Sequence, residues 1–339
     1  MRVIFTICSN NYLHQAQTLG ESVKANCLNS KFYIGLADEL DERINYADID
    51  AEIIPIKSIE PAVTHLIQKY NIIEFNTAIK PRYFEYFLHE TDATQVTYLD
   101  PDICVFADPQ DAMANFPESE IFLTPHILTP ILIDEKKPAE PLFLNYGLYN
   151  LGFIHIKKGQ QSVKLIDWWK QRTYKYGFDK PAIGLFTDQL WMNLTPILFS
   201  KVQILTHMGL NMAPWNLHER VLTSADGKYM VNSNQPLLFY HFSGFVINQW
   251  KIHKDYDRFT FHNRPDLSEL YTEYKKKLDK HRRTFFSNIQ WSFQNIKDRY
   301  QLLLDDQMEN QRKEFYKNLS YYKKLKSRLK SFVLARIQP

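Results

Sequence analysis

Apolar and polar positions change period several times along the chain, and each change predicts an element. Val3, Ile4, Phe5 and Ile7 make Arg2 to Cys8 a buried first strand. Behind the turn Ser9-Asn10-Asn11, Leu13, Ala16, Leu19 and Val23 recur at three- and four-residue steps, which predicts a helix from Tyr12 to Ala25. Phe32 to Leu36 is a second strand, ending at Ala37-Asp38, and Ile53 to Ile56 a short third. A β-α-β-β opening implies an α/β sheet whose ligand crevice lies at the carboxyl ends of its strands. A helix follows from Asn76 and Thr77 to Leu88, with Pro81 in its first turn, where a missing N–H costs little. Val96 to Leu99 and Ile103 to Phe106 are apolar runs on either side of Asp100-Pro101-Asp102. Further strands are predicted at Ile121 to Thr124, around Phe153 to Ile156, at Val202 to Leu205 and at Pro236 to Phe242. Helices are predicted at Val163 to Tyr174 and from Thr187, which would cap its own helix. Thr129 to Pro141, rich in Pro, Glu and Lys, reads as an exposed loop.

Beyond Leu267 the pattern becomes polar and helical. Glu269 to Arg283 and Ile289 to Lys317 read as charged helices, and Tyr321 to Ile337 as an amphipathic one. In the last piece Tyr322, Leu325, Leu329, Phe332 and Val333 share one face, and Lys323, Lys324, Lys326, Arg328 and Lys330 the other. This divides the chain into a body at 1–266 and a helical, basic extension at 267–339.

Charge sharpens that division. The net charge of +3 conceals 17 Lys and Arg against 6 Asp and Glu from Lys275 onward, and 24 against 32 before it. A basic amphipathic helix can lie on an anionic membrane surface, so residues 321–337 are a candidate membrane contact. The plainer alternative is a helix packed on the body or a partner. No nucleic-acid recognition motif accompanies the basic residues, so nucleic acid is not an expected partner. With 45% hydrophobic and 23% charged residues the composition is that of a globular protein. Three cysteines without metal-like spacing fit a reducing compartment, and no apolar run reaches a membrane span of about 18 residues. The expected location is the cytoplasm, with peripheral attachment to the inner membrane face through the tail.

Candidate chemistry centres on Asp100-Pro101-Asp102. Two carboxylates one residue apart at the end of a buried strand offer hard oxygen ligands for Mg²⁺ or Mn²⁺, and such an ion can carry a diphosphate. The same three residues are also good turn chemistry. Neither a G-x-G-x-x-G nor a Walker pattern occurs, so a bound nucleotide would need a metal to hold its phosphates. Lys80 and Arg82 sit at a predicted helix start, where they can meet a phosphate, pair with a carboxylate or remain solvated. Gly147 and Gly152 allow close backbone approach to a ligand. His241 ends an apolar strand and precedes Phe242-Ser243-Gly244, which makes it a candidate third ligand.

Together these stretches resemble the GT-A glycosyltransferases, and within them family eight, the lipopolysaccharide galactosyl- and glucosyltransferase and glycogenin group. The resemblance is carried over roughly residues 1–260 by Cys8-Ser9-Asn10-Asn11-Tyr12, Lys80-Pro81-Arg82-Tyr83, Tyr98-Leu99-Asp100-Pro101-Asp102, Tyr149-Asn150-Leu151-Gly152-Phe153, Asp188-Gln189 and His241-Phe242-Ser243-Gly244. It implies a mixed, mainly parallel sheet flanked by helices, and a metal-dependent transfer of a sugar from a nucleotide-diphosphate donor, typically a UDP-sugar, to a glycan or lipid-linked acceptor. It implies retention of anomeric configuration, without a dedicated general base. Asp100, Asp102 and His241 would hold Mn²⁺ or Mg²⁺. Cys8, Ser9, Asn11 and Tyr12 would hold base and ribose. Lys80 or Arg82 would reach the donor phosphate or sugar, with Gly244 and Lys251 near the diphosphate. Asn150, Asp188 and Gln189 would line the sugar, Gln189 nearest the reacting carbon. The chain departs from the family where Ser9-Asn10 replaces an aspartate of the first loop, and where Lys251 follows Trp250 instead of preceding a Pro-Trp pair. The segment Asn211 to Arg220 either shapes the acceptor site or is a buried polar loop. Two other readings compete: a GT-A-like membrane-associated module without catalysis, and a haloacid dehalogenase-type phosphatase. The phosphatase class places Asp-x-Asp on its first strand, and here about 95 residues of α/β structure precede it.

Overall fold

The computed structural model describes residues 1–225 and 228–296, with residues 310, 313, 314 and 317. The amphipathic segment 321–337 lies outside the described residues. The main strands are β1 Arg2–Cys8, β2 Lys31–Leu36, β3 Glu52–Pro55, β4 Gln95–Leu99, β5 Ile103–Val105, β6 Ile121–Pro125, β7 Tyr149–Lys157, β8 Val202–Ile204 and β9 Phe239–His241. The helices used below are α1 Leu13–Asn26, α2 Ile72–Ala78, α3 Lys80–Glu90, α4 Glu140–Tyr146, α5 Gln160–Tyr176 and α6 Ser268–Lys280.

Seven strands form one sheet in the order β8-β6-β7-β4-β1-β2-β3. Only β7 runs against its neighbours, so four of the six pairings are parallel. This is the mixed, mainly parallel sheet expected. Both faces are covered, which explains the nearly unbroken apolar run of β1. Val3, Phe5 and Ile7 enter one core with residues of α2, α3 and α5, while Ile4 and Cys8 enter the other with Leu13, Ala16, Leu19 and Val23 of α1. No helix among the described residues is long and apolar enough to cross a membrane.

Three segments differ from expectation. The helix predicted from Asn76 is two helices meeting at Ile79. The Asn71 side chain accepts from the Ile73 and Glu74 amides, and Glu74 bonds back to the Asn71 amide, a capping box that starts α2 earlier. Thr187 caps nothing; it sits at φ +43, and a short 3-10 turn, Leu190–Leu194, follows instead of an α-helix. The third is the start of the polar helix predicted at 289–317: residues 289–293 are not helical, residues 294–296, 310, 313, 314 and 317 are, and the rest lie outside the described residues. Ile289, Trp291 and Phe293 are buried, and the Trp291 indole donates to the Ala37 carbonyl at 2.9 Å. Those three apolar residues are spaced by two, a strand-like period that the surrounding charge obscured.

The first part of the extension is packed on the body. Tyr271 and Tyr274 of α6 are buried beside β9: the Tyr274 ring stacks on Phe242 at 3.7 Å, and the Tyr271 and Tyr240 hydroxyls are 3.0 Å apart.

Candidate active site

Strand registers bring the candidate ligands together. β4 ends at Leu99, so Asp100 leaves the sheet at a carboxyl edge. β7 lies antiparallel beside it with Leu99 opposite Phe153, and the Asp100 amide donates to the Gly152 carbonyl at 2.8 Å. The chain turns over Pro101 into β5, which pairs with β9 so that His241 stands opposite Ile103. The Phe242 amide then bonds the Asp102 carbonyl at 2.9 Å. This two-stranded ribbon closes a sequence gap of about 140 residues and sets His241 against both carboxylates.

Ligand atoms of Asp100, Asp102 and His241 all lie within 4.8 Å of one another. His241 Nε2 is 2.9 Å from Asp102 Oδ1 and 3.7 Å from Asp100 Oδ2. Burial opposes a charged imidazole, but Asp102, then Asp100, outweigh it and raise the His241 pKa. Burial raises the Asp100 pKa, against the pull of Lys80 and His241. The Tyr98 hydroxyl donates to Asp100 Oδ1 at 2.6 Å, and the edge of Trp215 packs against the His241 ring at 5.1 Å. Both contacts orient ligands from behind. The cradle depends on a glycine: a Cβ on Gly152 would lie 2.5 Å from His241 Cε1 and 2.9 Å from Asp100 Oδ2. Two carboxylates and one imidazole suit Mn²⁺ or Mg²⁺ with room for exogenous oxygen ligands.

Lys80 and Asp188 meet as a buried ion pair at 2.7 Å, each 2% exposed. Lys80 also donates to the Leu151 carbonyl at 3.0 Å and lies over the Tyr98 ring. Gln189 is held at both ends of its amide: Oε1 accepts from the Leu151 amide at 3.0 Å, and Nε2 donates to the Tyr146 carbonyl at 2.8 Å. Asn150 accepts from the Gly152 amide, and its own amide nitrogen donates to His126 Nε2 and to Gln189 Oε1. His126 in turn donates through Nδ1 to the Leu148 carbonyl, and burial pushes its pKa down to about 4, so it stays neutral. Arg82 is not brought here. Its guanidinium bonds the Ile59 carbonyl and pairs with Glu60, Glu85 and Glu90.

Two clefts flank the acidic cluster. One, of about 710 Å³, is lined by Asp100, Asp102, His241, Asn150, Gln189 and Trp215 among others. The other, of about 500 Å³, runs past Tyr12, Asp102 and residues 242–248. Tyr12 is 46% exposed at this second cleft. Cys8 and Ser9 are buried beneath it, and burial raises the Cys8 pKa, with Asp38 adding to it. Ser9 bonds Asn11, and the Asn10 amide donates to the carboxylate of Asp38, just beyond β2, at 3.1 Å. That carboxylate also accepts from the amide and hydroxyl of Ser292.

Lys251 is exposed and lines neither of these clefts, its backbone paired with Val246. Lys254 lines both, its amide bonded to the Gly244 carbonyl at 2.9 Å. The turn at Trp250, φ +51, separates the two lysines. Gly244, at φ +68, is required by the same turn, since a Cβ there would strike His253 at 2.4 Å. In the segment 211–220, Asn211 and Asn216 are wholly buried, and Trp215 lines the larger cleft.

No family model matches the chain. It is 28% identical over 284 residues to the uncharacterized protein YfnF of Bacillus subtilis (strain 168), covering 82% of this chain and 93% of the relative. YfnD of the same organism is 23% identical over 257 residues, covering 71% and 77%. Among solved structures it is similar to the galactosyltransferase LgtC in complex with donor and acceptor sugar analogues, at 14% identity and TM-score 0.48, over 83% of this chain and 96% of that one. It is also similar to the glycosyltransferase GlyE of Streptococcus pneumoniae TIGR4 (14%, TM-score 0.45, 85% and 66%) and to mouse xyloside xylosyltransferase 1 (12%, TM-score 0.41, 71% and 97%). These three solved structures are glycosyltransferases.

Proposed function

We propose that the chain is a metal-dependent glycosyltransferase that moves a sugar from a nucleotide-diphosphate donor to a glycan or lipid-linked acceptor with retention of configuration. The observation that carries this reading is the convergence of Asp100, Asp102 and His241 between two clefts, with the Lys80–Asp188 pair and Gln189 beside it. A divalent cation held by these three side chains would neutralise charge on the departing diphosphate. Tyr12 offers a ring for the base in the smaller cleft, and Lys254 adds a cation where the two clefts meet. Behind the larger cleft the buried Lys80 orients the Asp188 carboxylate, and the bonds to Leu151 and Tyr146 fix the Gln189 amide in the cleft wall, where the donor sugar would lie. Such prepositioned dipoles lose little on reorganisation as charge develops.

The test is thermal protection and slow donor hydrolysis with Mn²⁺ or Mg²⁺ and a panel of nucleotide sugars. Protection that needs both metal and one donor, and is absent in Asp100→Ala and Asp102→Ala, is the expected result. Equal behaviour of wild type and both variants would refute the reading. The anomeric configuration of the product, read by NMR, decides retention. Liposome binding by the full chain against one ending at residue 301 tests the membrane contact proposed for 321–337.

A further inference from the structure

A third cleft, of about 430 Å³, opens from the first two and is used by nothing above. It shares Lys137, His253, Lys254, Asp255 and Tyr256 with the larger cleft, so one groove leads from the acidic cluster to Trp250. The saddle between them is closely packed. His253 and Tyr256 stack at 3.7 Å, and Gly244 presses on the back of the imidazole. The volume falls within the range of small-molecule sites.

Trp250 is the unusual residue of this cleft. It holds a left-handed backbone, φ +51 and ψ +52, which bulky residues rarely adopt. Its ring stacks on Phe261 at 5.0 Å and stands nearly perpendicular to the Phe245 ring at 5.6 Å, yet the residue is 37% exposed. A strained turn therefore holds an indole in a fixed orientation with part of it toward solvent. Around it stand Lys137, Lys251 and Lys254 against Glu135, Asp255 and Asp257, so the charges balance. An aromatic face surrounded by mixed, charge-balanced hydrogen-bonding groups suits a neutral ligand with an apolar face and many hydroxyls.

We propose that this cleft binds the distal units of a neutral oligosaccharide acceptor, one sugar ring stacking on Trp250, while the accepting unit lies in the larger cleft. This rests on the transferase reading above. It makes the enzyme one that extends a chain already several sugars long, so the reaction class that supplies its substrate is another glycosyl transfer.

The experiment titrates the full chain with maltohexaose, cellohexaose and chitohexaose and with their monosaccharides, following tryptophan fluorescence and saturation-transfer NMR. Thermal protection by metal and nucleotide sugar is measured in parallel. Binding of at least one hexasaccharide, with its monosaccharide binding far more weakly, is expected. Trp250→Ala should weaken it about tenfold and Trp250→Phe much less, with donor protection unchanged in both. If donors protect the protein but no hexasaccharide binds, or if Trp250→Ala binds as well as wild type, this inference is overturned and the transferase reading stands. If no donor protects wild type, both are lost.

Discussion

Replacing Gly152 with alanine adds one methyl group where the three candidate metal ligands converge. The new Cβ would stand 2.5 Å from His241 Cε1, 2.7 Å from Asn150 Oδ1 and 2.9 Å from Asp100 Oδ2. Carbon atoms settle at about 3.5–4.0 Å, so the imidazole must retreat by about 1 Å. Its retreat is opposed by Trp215 behind it and by the β5–β9 pairing that fixes its backbone. Overpacking of this kind costs about 1–3 kcal/mol. In a domain this large that lowers Tm by roughly 2–4 °C per kcal/mol. Metal binding should suffer more, since a ligand site tolerates only about 0.2 Å of error. Disturbing ligand orientation weakens affinity about 10- to 100-fold. Gly184→Ala is a control away from the cluster: it has φ +75, unlike Gly152, but nothing within 4 Å of a new Cβ, so it carries backbone strain without a clash. Mn²⁺ titration by calorimetry, with melting curves for both variants, reads the difference. Wild-type Mn²⁺ affinity in Gly152→Ala, with the same loss of Tm as Gly184→Ala, would refute the claim that the clearance at Gly152 forms the cradle.

Lys80→Met should leave Asp188 charged and unpaired in a buried place and cost about 3–5 kcal/mol by urea denaturation. Adding Asp188→Leu should restore part of that loss, and a double variant no better than the single one would contradict a direct pair. Acid stability follows from His126 and His155, whose pKa values burial pushes down to about 4 and about 3. The unfolded chain then takes up their protons first, so their contribution is complete above about pH 6.5 and is lost as pH falls toward 4. The urea midpoint should drop across that window; a midpoint that rises on acidification would reverse the sign of the argument. Trp291→Ala removes the bond to Ala37 and the packing on Phe75, and should cost about 3–5 kcal/mol in the same assay. A loss under 1 kcal/mol would mean the segment only rests on the surface.

Much of the core was legible because burial on both faces of a sheet leaves a direct mark on composition. β1, β2 and β4 read as apolar runs, α1 and α5 as three- and four-residue recurrences, and Asp100-Pro101-Asp102 as the polar end of a strand. Boundaries depended on caps and were less visible: the Asn71–Glu74 box moved one helix start, and a predicted cap at Thr187 made none. The burial of Ile289, Trp291 and Phe293 was hidden because charge counts average over residues, whereas anchoring needs only three apolar side chains at alternate positions.

By itself, the amino-acid sequence determined which residue types the site contains and which strand ends carry them, because short-range patterning is written in neighbouring positions. Only the tertiary structure decided which of them meet. Pairing of β5 with β9 brought His241 to Asp102, and the β4–β7 register put a glycine where any side chain would displace a ligand. The same packing buried Lys80 against Asp188, committed Arg82 to a different carbonyl and chose Lys254 over Lys251 for the clefts. Contacts between residues a hundred or more positions apart depend on register and turn geometry, and no local pattern records them.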